Sequence, residues 1–177
     1  VAIENRTFPG SVSNHHLGTL LGLLMAAYEM NHFKDEYQKK VVENAKGFAK
    51  SLVDAGLHVA GDPAISYTET HQVIVQVGYA KGIETAQRLE ENNIIVNFQA
   101  TPDEEGFTAS GGLRLGVSKM TRFGFGNDEF RKLGGLIREV VLDGKKVGDE
   151  VIALRRDYQD LKFCFSEDQF AGRIESA

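Results

Sequence analysis

Only one cysteine, Cys164, occurs in the 177 residues, so no internal disulfide can form and no cysteine-built zinc site exists. Cysteine usage asks for no oxidising compartment, and a cytoplasmic location is the expectation. Positive charge is also short. Twenty Lys and Arg stand against 25 Asp and Glu, giving a net charge of −5 and a pI near 5.6. No excess positive field attracts phosphate backbones or anionic lipid, which argues against nucleic-acid and membrane partners. Proline is scarce at 3 while glycine is plentiful at 19, a balance that suggests tight turns and close backbone approaches rather than flexible linkers. Hydrophobic residues make up 42% and charged residues 25% of the chain, close to globular averages and far from disorder.

The chain opens at Val1, and VAIENRTFPG has neither the apolar core of a signal peptide nor the Arg/Ser bias of a transit peptide. The expectation is therefore a piece of a longer protein. Residues 1–13 read as extended, with Ser13 or Asn14 as helix cap. The stretch HHLGTLLGLLMAAYEM is apolar nearly all round but too short to span a bilayer. Such a helix needs a partner surface on another domain or subunit. A second, amphipathic helix is predicted from Asp35 to about Ala55, with Tyr37, Val41, Ala45, Phe48 and Leu52 inward and Gly56 as left-handed cap. Strands follow at His58–Ala60 and Gln72–Val77, then a helix over 82–92 and strands at Ile94–Asn97 and Leu113–Val117. Asn127 should cap a further helix, and a last one begins near Gly148 with a stripe of Val151, Leu154, Tyr158 and Leu161. This order suits an α+β fold, a mostly antiparallel sheet covered by helices. The expected divisions are 1–32, a leading segment with an interface helix; 33–145, a small α+β domain; and 146–177, a C-terminal helix and tail.

Bare motifs for chemistry are few. The five histidines, His15, His16, His32, His58 and His71, include no HExxH pair, and His15-His16 reads as the start of a helix rather than a metal pair, so no metal is expected. Asp103-Glu104-Glu105 reads as a solvated loop face, and Cys164, between Phe163 and Phe165, as a buried inert thiol. The segment ASGGLRLGVSKMTRFGFGNDEF is different, because Arg114 is flanked by apolar residues on a short strand between glycines. A guanidinium there must meet a carboxylate or a phosphate, either in a structural salt bridge or by gripping a ligand.

The stretch SGGLRLGV–MTRFGF resembles the Ser-Gly-Ile-Arg-x-Gly-Thr…Thr-Arg-Arg-Gly-Phe segment of serine hydroxymethyltransferases, pyridoxal-phosphate enzymes of the aspartate-aminotransferase-like fold. Four more blocks agree in order. Phe8-Pro9-Gly10 is similar to the family's FPG, Glu36–Leu52 to its EYqkqvvkNAkaLAeaL, Thr68–Val75 to its T-D-N-H-x-V-x-V strand, and residues 94–102 to its ItvNkNxxP turn. The resemblance implies the small C-terminal domain of a pyridoxal-phosphate-dependent transferase, preceded by an interface helix, in a protein that makes or breaks the Cα–Cβ bond of β-hydroxy amino acids. It implies that Arg114 binds the α-carboxylate of glycine or serine, and that Ser13 and Asn14 reach the cofactor phosphate of a partner subunit in a homodimer or larger assembly. Tetrahydrofolate is a possible second ligand, met by Gln99. No lysine stands in the family's Thr-x-x-His-Lys context, so the Schiff-base lysine is expected in a missing large domain and the fragment alone is expected to be inactive. Departures qualify the folate part. Val12-Ser13-Asn14-His15 replaces Gln-Gly-Gly-Pro, Asn97-Phe98-Gln99 replaces Asn-Lys-Asn, and Val117, Ser118 and Phe123 replace Thr, Pro and Arg. A folate-independent aldolase or transaldolase of the same fold, or a stand-alone non-catalytic partner domain, are the alternatives.

Overall fold

The computed structural model describes residues 2–12, 14–101, 104 and 109–169. These fall into two compact units, residues 1–34 with 164–177, and residues 35–163. In the first, residues 2–11 are not extended. They form a short helix, α1 (Ala2–Asn5), and a wider turn over Arg6–Ser11. Local side chains close these turns: Thr7 Oγ1 donates to the Ile3 carbonyl at 2.9 Å and Ser11 Oγ to that of Arg6 at 2.8 Å. Short hydroxyl side chains satisfying nearby carbonyls are what a hydrophobicity pattern cannot register.

The long helix α2 runs from Leu17 to Asp54, 38 residues, or about 57 Å at 1.5 Å per residue. Two helices were expected here and one is found. Neither glycine nor proline occurs between Leu23 and Lys46, so nothing breaks the backbone where the apolar pattern changes. What changes is burial. Leu17, Leu20, Leu21, Leu23 and Leu24 are exposed, whereas Tyr37, Val41, Ala45, Phe48 and Leu52 are all buried. The helix starts after His16, whose carbonyl accepts the Leu20 N–H at 3.1 Å. Asn14 does not cap it; its Oδ1 accepts from His15 N at 2.9 Å. Ser13 lies outside the described residues. At the other end Gly56 has φ +91, and the N–H groups of Gly56 and Leu57 return to the carbonyls of Val53 and Leu52. That is the expected left-handed C-cap.

In the second unit, β1 (His58–Val59), β2 (Gln72–Gln76), β3 (Asn97–Gln99) and β4 (Gly112–Gly116) form an antiparallel sheet in the order β1-β2-β4-β3. Helix α3 (Gly82–Glu90) links β2 to β3, and α4 (Ser118–Arg122), α5 (Asn127–Val141) and α6 (Gly148–Arg156) follow β4. The fold is α+β, as expected. Val73 opposes Leu115 and Val75 opposes Leu113, and all four are buried together with Phe48 and Phe130, whose rings lie 5.1 Å apart. Burying a side chain such as Phe48 contributes about 1.5–3 kcal/mol.

Several boundaries differ from expectation. The third strand begins at Asn97 rather than Ile94, because only from Asn97, opposite Arg114, does the chain pair with β4; Ile94 instead goes into the core and Ile95 is exposed. Asn127 lies inside α5, and Gly126 precedes it, its N–H donated to Glu129 Oε2 at 2.9 Å. Helix α6 stops before Tyr158 and Leu161. Tyr158 packs edge-on against Phe125 at 4.8 Å, and its hydrogen bond to Glu129 lowers the Glu129 pKa and raises its own. Cys164, in the first unit, is half-buried rather than buried.

Candidate functional site

Period-two alternation decides what the sheet presents. With Leu113 and Leu115 buried, Arg114 points to the opposite face. Register places Asn97, Arg114 and Ile74 in one row across that face, and Gln99, Gly112, Gln76 and His58 in the next. Apart from the buried Gly112, these positions are half-buried or exposed, so one side of the sheet is core and the other a largely polar platform. Gly112 is closely packed: a Cβ there would stand 3.0 Å from Thr101 Cγ2 and 3.1 Å from the Gln99 carbonyl oxygen.

The ends of β4 are pinned. Before it, Gly111 donates its N–H to Glu104 Oε2 at 2.9 Å and its carbonyl accepts from Val77 N at 2.8 Å. A Cβ on Gly111 would stand 2.7 Å from the Gly78 carbonyl oxygen and also strike the Glu104 carboxylate, so only glycine fits. Glu104 also accepts from Thr101 N at 2.7 Å. These two backbone donors, Thr101 first, lower the pKa of its carboxyl. Glu104 thus ties down the loop before β4 rather than merely facing water, as its acidic neighbourhood suggested; Asp103 and Glu105 lie outside the described residues. After β4, Val117 N donates to the His71 carbonyl at 3.1 Å, Tyr37 Oη donates to the Ser118 carbonyl at 3.0 Å, and Asn44 Nδ2 donates to Thr121 Oγ1 and the Phe125 carbonyl, both at 2.9 Å. The second half of α2 therefore fixes the segment that follows Arg114.

A cavity of about 410 Å³ opens on the polar face, lined by His71, Gln72, Ile95, Val96, Asn97, Arg114 and Gly116. Arg114 is half-buried, and its guanidinium has no salt bridge or hydrogen bond among the described residues. Among the described residues, no carboxylate lines the cavity. A fork of donors held beside neutral polar groups, with its anion absent, matches planar bidentate recognition of a carboxylate. Of the two readings of Arg114, the structural salt bridge has no partner here.

The other residues singled out in the sequence lie apart. Gln99 is on β3, in the row next to Arg114. Asn14 is exposed ahead of α2. His15 and His16 are exposed, and among the described residues no group of His, Cys, Asp and Glu could hold a metal ion. No described helix is long and apolar enough to cross a membrane. Sequence reasoning did not single out His71, Tyr37, Asn44 or Glu104 as site residues. The first three sit within the motif blocks already quoted; for Glu104 the only signal was a loop acid seven residues before Gly111.

Known proteins resemble this chain over most of its length. The profile of the family described as serine hydroxymethyltransferase matches residues 2–137. The serine hydroxymethyltransferase of Korarchaeum cryptofilum is 41% identical over 173 residues, covering 93% of this chain and 40% of that protein. That of Nitrosopumilus maritimus is 39% identical over 171 residues, covering 92% and 39%. Among solved structures, L-threonine transaldolase from Pseudomonas fluorescens, in its internal aldimine state, superposes with a TM-score of 0.82 at 27% identity, over 96% of this chain and 40% of that one. The chain spans about 40% of the length of the curated relatives it matches. By profile, by identity and by fold, the chain belongs to the serine hydroxymethyltransferase family.

Proposed function

We propose that this chain is the C-terminal part of a pyridoxal-phosphate-dependent, hydroxymethyltransferase-like enzyme that makes or breaks the Cα–Cβ bond of β-hydroxy amino acids, with Arg114 as its carboxylate clamp. One observation carries the reading: a half-buried arginine that, among the described residues, has no anionic partner and lies in a cavity lined by no acid. The cavity residues fit the amino-acid side of such a site. No lysine of the chain stands in the family's Thr-x-x-His-Lys context, so the Schiff-base lysine is assigned to a part of the enzyme outside these 177 residues, and the chain alone is expected to be inactive. The 40% coverage of its relatives supports that division.

Pyridoxal phosphate, when bound, supplies the electron sink for the broken bond. The rest falls to the chain. Arg114 grips the α-carboxylate through two parallel N–H donors and so fixes which Cα bond stands perpendicular to the cofactor ring. Gly116 keeps bulk away from it, and the anchors at Gly111, Ser118 and Thr121 hold its strand still. Asn14, with Ser13, would offer backbone N–H groups to the cofactor phosphate of a second subunit. The exposed leucines of α2 would form part of the interface of a homodimer or larger assembly in the cytoplasm.

The test is Arg114→Ala and Arg114→Lys in the full-length enzyme. Leaving out a charge-assisted bidentate contact at a desolvated site costs about 2–5 kcal/mol, or roughly 30- to several-thousand-fold in amino-acid affinity. Lysine, a point charge without the fork, should recover only part. Unchanged affinity and rate in Arg114→Ala would remove Arg114 from the site.

A second reading has its own support. The likeness to an L-threonine transaldolase and the presence of Phe98 and Gln99 in the turn favour an aldolase or transaldolase that works without folate. Turnover of threonine-like substrates that ignores tetrahydrofolate would favour it; strict tetrahydrofolate dependence with serine would favour hydroxymethyl transfer, with Gln99 at the folate.

A further inference from the structure

Strict alternation from Val75 and Val73, both buried, would turn residue 71 toward the core as well. His71 departs from it: the residue is exposed and lines the Arg114 cavity. Threonine hydroxyls shape the chain at this point. Thr68 Oγ1 accepts from Thr70 N at 3.1 Å, and Thr70 Oγ1 accepts from Gln72 N at 3.2 Å, so hydroxyl-closed turns rather than a regular strand lead into β2. Thr68 is itself buried, and the His71 carbonyl accepts from Val117 N at 3.1 Å. The backbone of His71 is thus held from both sides. Its ring makes no hydrogen bond, ion pair or ring contact among the described residues.

The ring lies on the same side of the sheet as Arg114. A Cβ on Gly116, two residues along β4, would point as Arg114 does, and the one atom it would meet within 4 Å is His71 Cδ2, at 3.9 Å. Gly116 is exposed, so the sheet face is open between the guanidinium and the imidazole. Two strand residues span about 6.8 Å. Hydrogen bonds of about 2.8 Å reaching in from each end leave room for polar groups a few bonds apart, not for a long ligand. A neutral imidazole offers one donor and one acceptor, which matches a hydroxyl, itself both. A second carboxylate would call for a second cation, and among the described residues no other Lys or Arg lines the cavity. Asn97, directly across from Arg114, stands at the carboxylate end and does not take this place.

We propose that His71 binds the β-hydroxyl of the amino acid whose α-carboxylate Arg114 grips, and so selects β-hydroxy amino acids over their unhydroxylated analogues. The assignment rests on the carboxylate reading of Arg114 and adds a specificity contact to it.

Equilibrium binding of L-serine and L-alanine to the full-length enzyme, without tetrahydrofolate, tests it, because the two ligands differ only in the β-hydroxyl. The unaltered enzyme should prefer serine. His71→Ala should cut that preference by roughly three- to tenfold, the worth of one neutral hydrogen bond, and leave alanine affinity unchanged. His71→Gln keeps a donor and an acceptor and should restore part of the preference. Arg114→Ala should weaken both ligands by a similar factor and keep the preference between them. Equal binding of serine and alanine to the unaltered enzyme, an undiminished preference in His71→Ala, or equal losses for both ligands in that variant would overturn the role of His71 and leave Arg114 in place. Alanine affinity untouched by Arg114→Ala would overturn the carboxylate reading beneath it.

Discussion

Replacing Asn44 with alanine probes how the chain holds its candidate carboxylate clamp in place. Asn44 is fully buried, and its Nδ2 donates to Thr121 Oγ1 and the Phe125 carbonyl, so α2 is tied to the segment just beyond β4. Alanine removes two hydrogen bonds worth about 1 kcal/mol each net, and it withdraws the donor from the Phe125 carbonyl, a further cost of about 1 kcal/mol. Against this, Asn44 Oδ1 is itself buried without a partner, and removing it relieves about 1 kcal/mol. The sum is a loss of about 2 kcal/mol, which for a chain of this length lowers Tm by about 4–8 °C. Far-UV circular dichroism follows the melt, since the sequence has no Trp for fluorescence. Asn44→Asp sharpens the test. The Phe125 carbonyl can only accept, so the group facing it must donate; a carboxylate there would be repelled and would lack counter-charge. Aspartate should therefore destabilise more than alanine at pH 7. A Tm change below about 1 °C for Asn44→Ala, or an Asp variant as stable as the Ala one, would refute the reasoning.

Other outcomes follow from the same geometry. Gly111→Ala should lower Tm by several degrees, because its Cβ meets the Gly78 carbonyl oxygen at 2.7 Å; a variant melting with the parent would mean that the loop yields freely. Glu104 has a lowered pKa, so its stabilising effect is complete above the ordinary carboxylate pKa of about 4.3 and fades as pH falls through the lowered value. The acid limb of a Tm-versus-pH curve should thus be steeper for the unaltered chain than for Glu104→Gln, and parallel limbs would count against the two backbone hydrogen bonds. Leu21→Glu with Leu24→Glu, at two exposed positions of α2, should shift the chain toward monomer in sedimentation velocity; identical profiles would argue against an interface role for that stretch.

The sequence by itself determined the main element types from Asp35 onward, the antiparallel α+β character and the family, because each rests on local pattern: alternation in QVIVQ and GLRLG, helical spacing from Tyr37 to Leu52, a left-handed glycine at position 56, and five motif blocks in order. It also marked Arg114 as an arginine in apolar company. Tertiary structure decided the rest. Whether α2 is one helix or two depended on a backbone that no residue interrupts, while the change in pattern near residue 34 records a change of surroundings. Where β3 starts depended on which residues find a partner on β4, a non-local matter. That Arg114 has no anionic partner among the described residues, and that Glu104 and Asn44 hold the two ends of its strand, are facts about residues far apart in sequence. Hydrogen-bond partners and empty space come into being only when the chain packs, and no one-dimensional pattern records them.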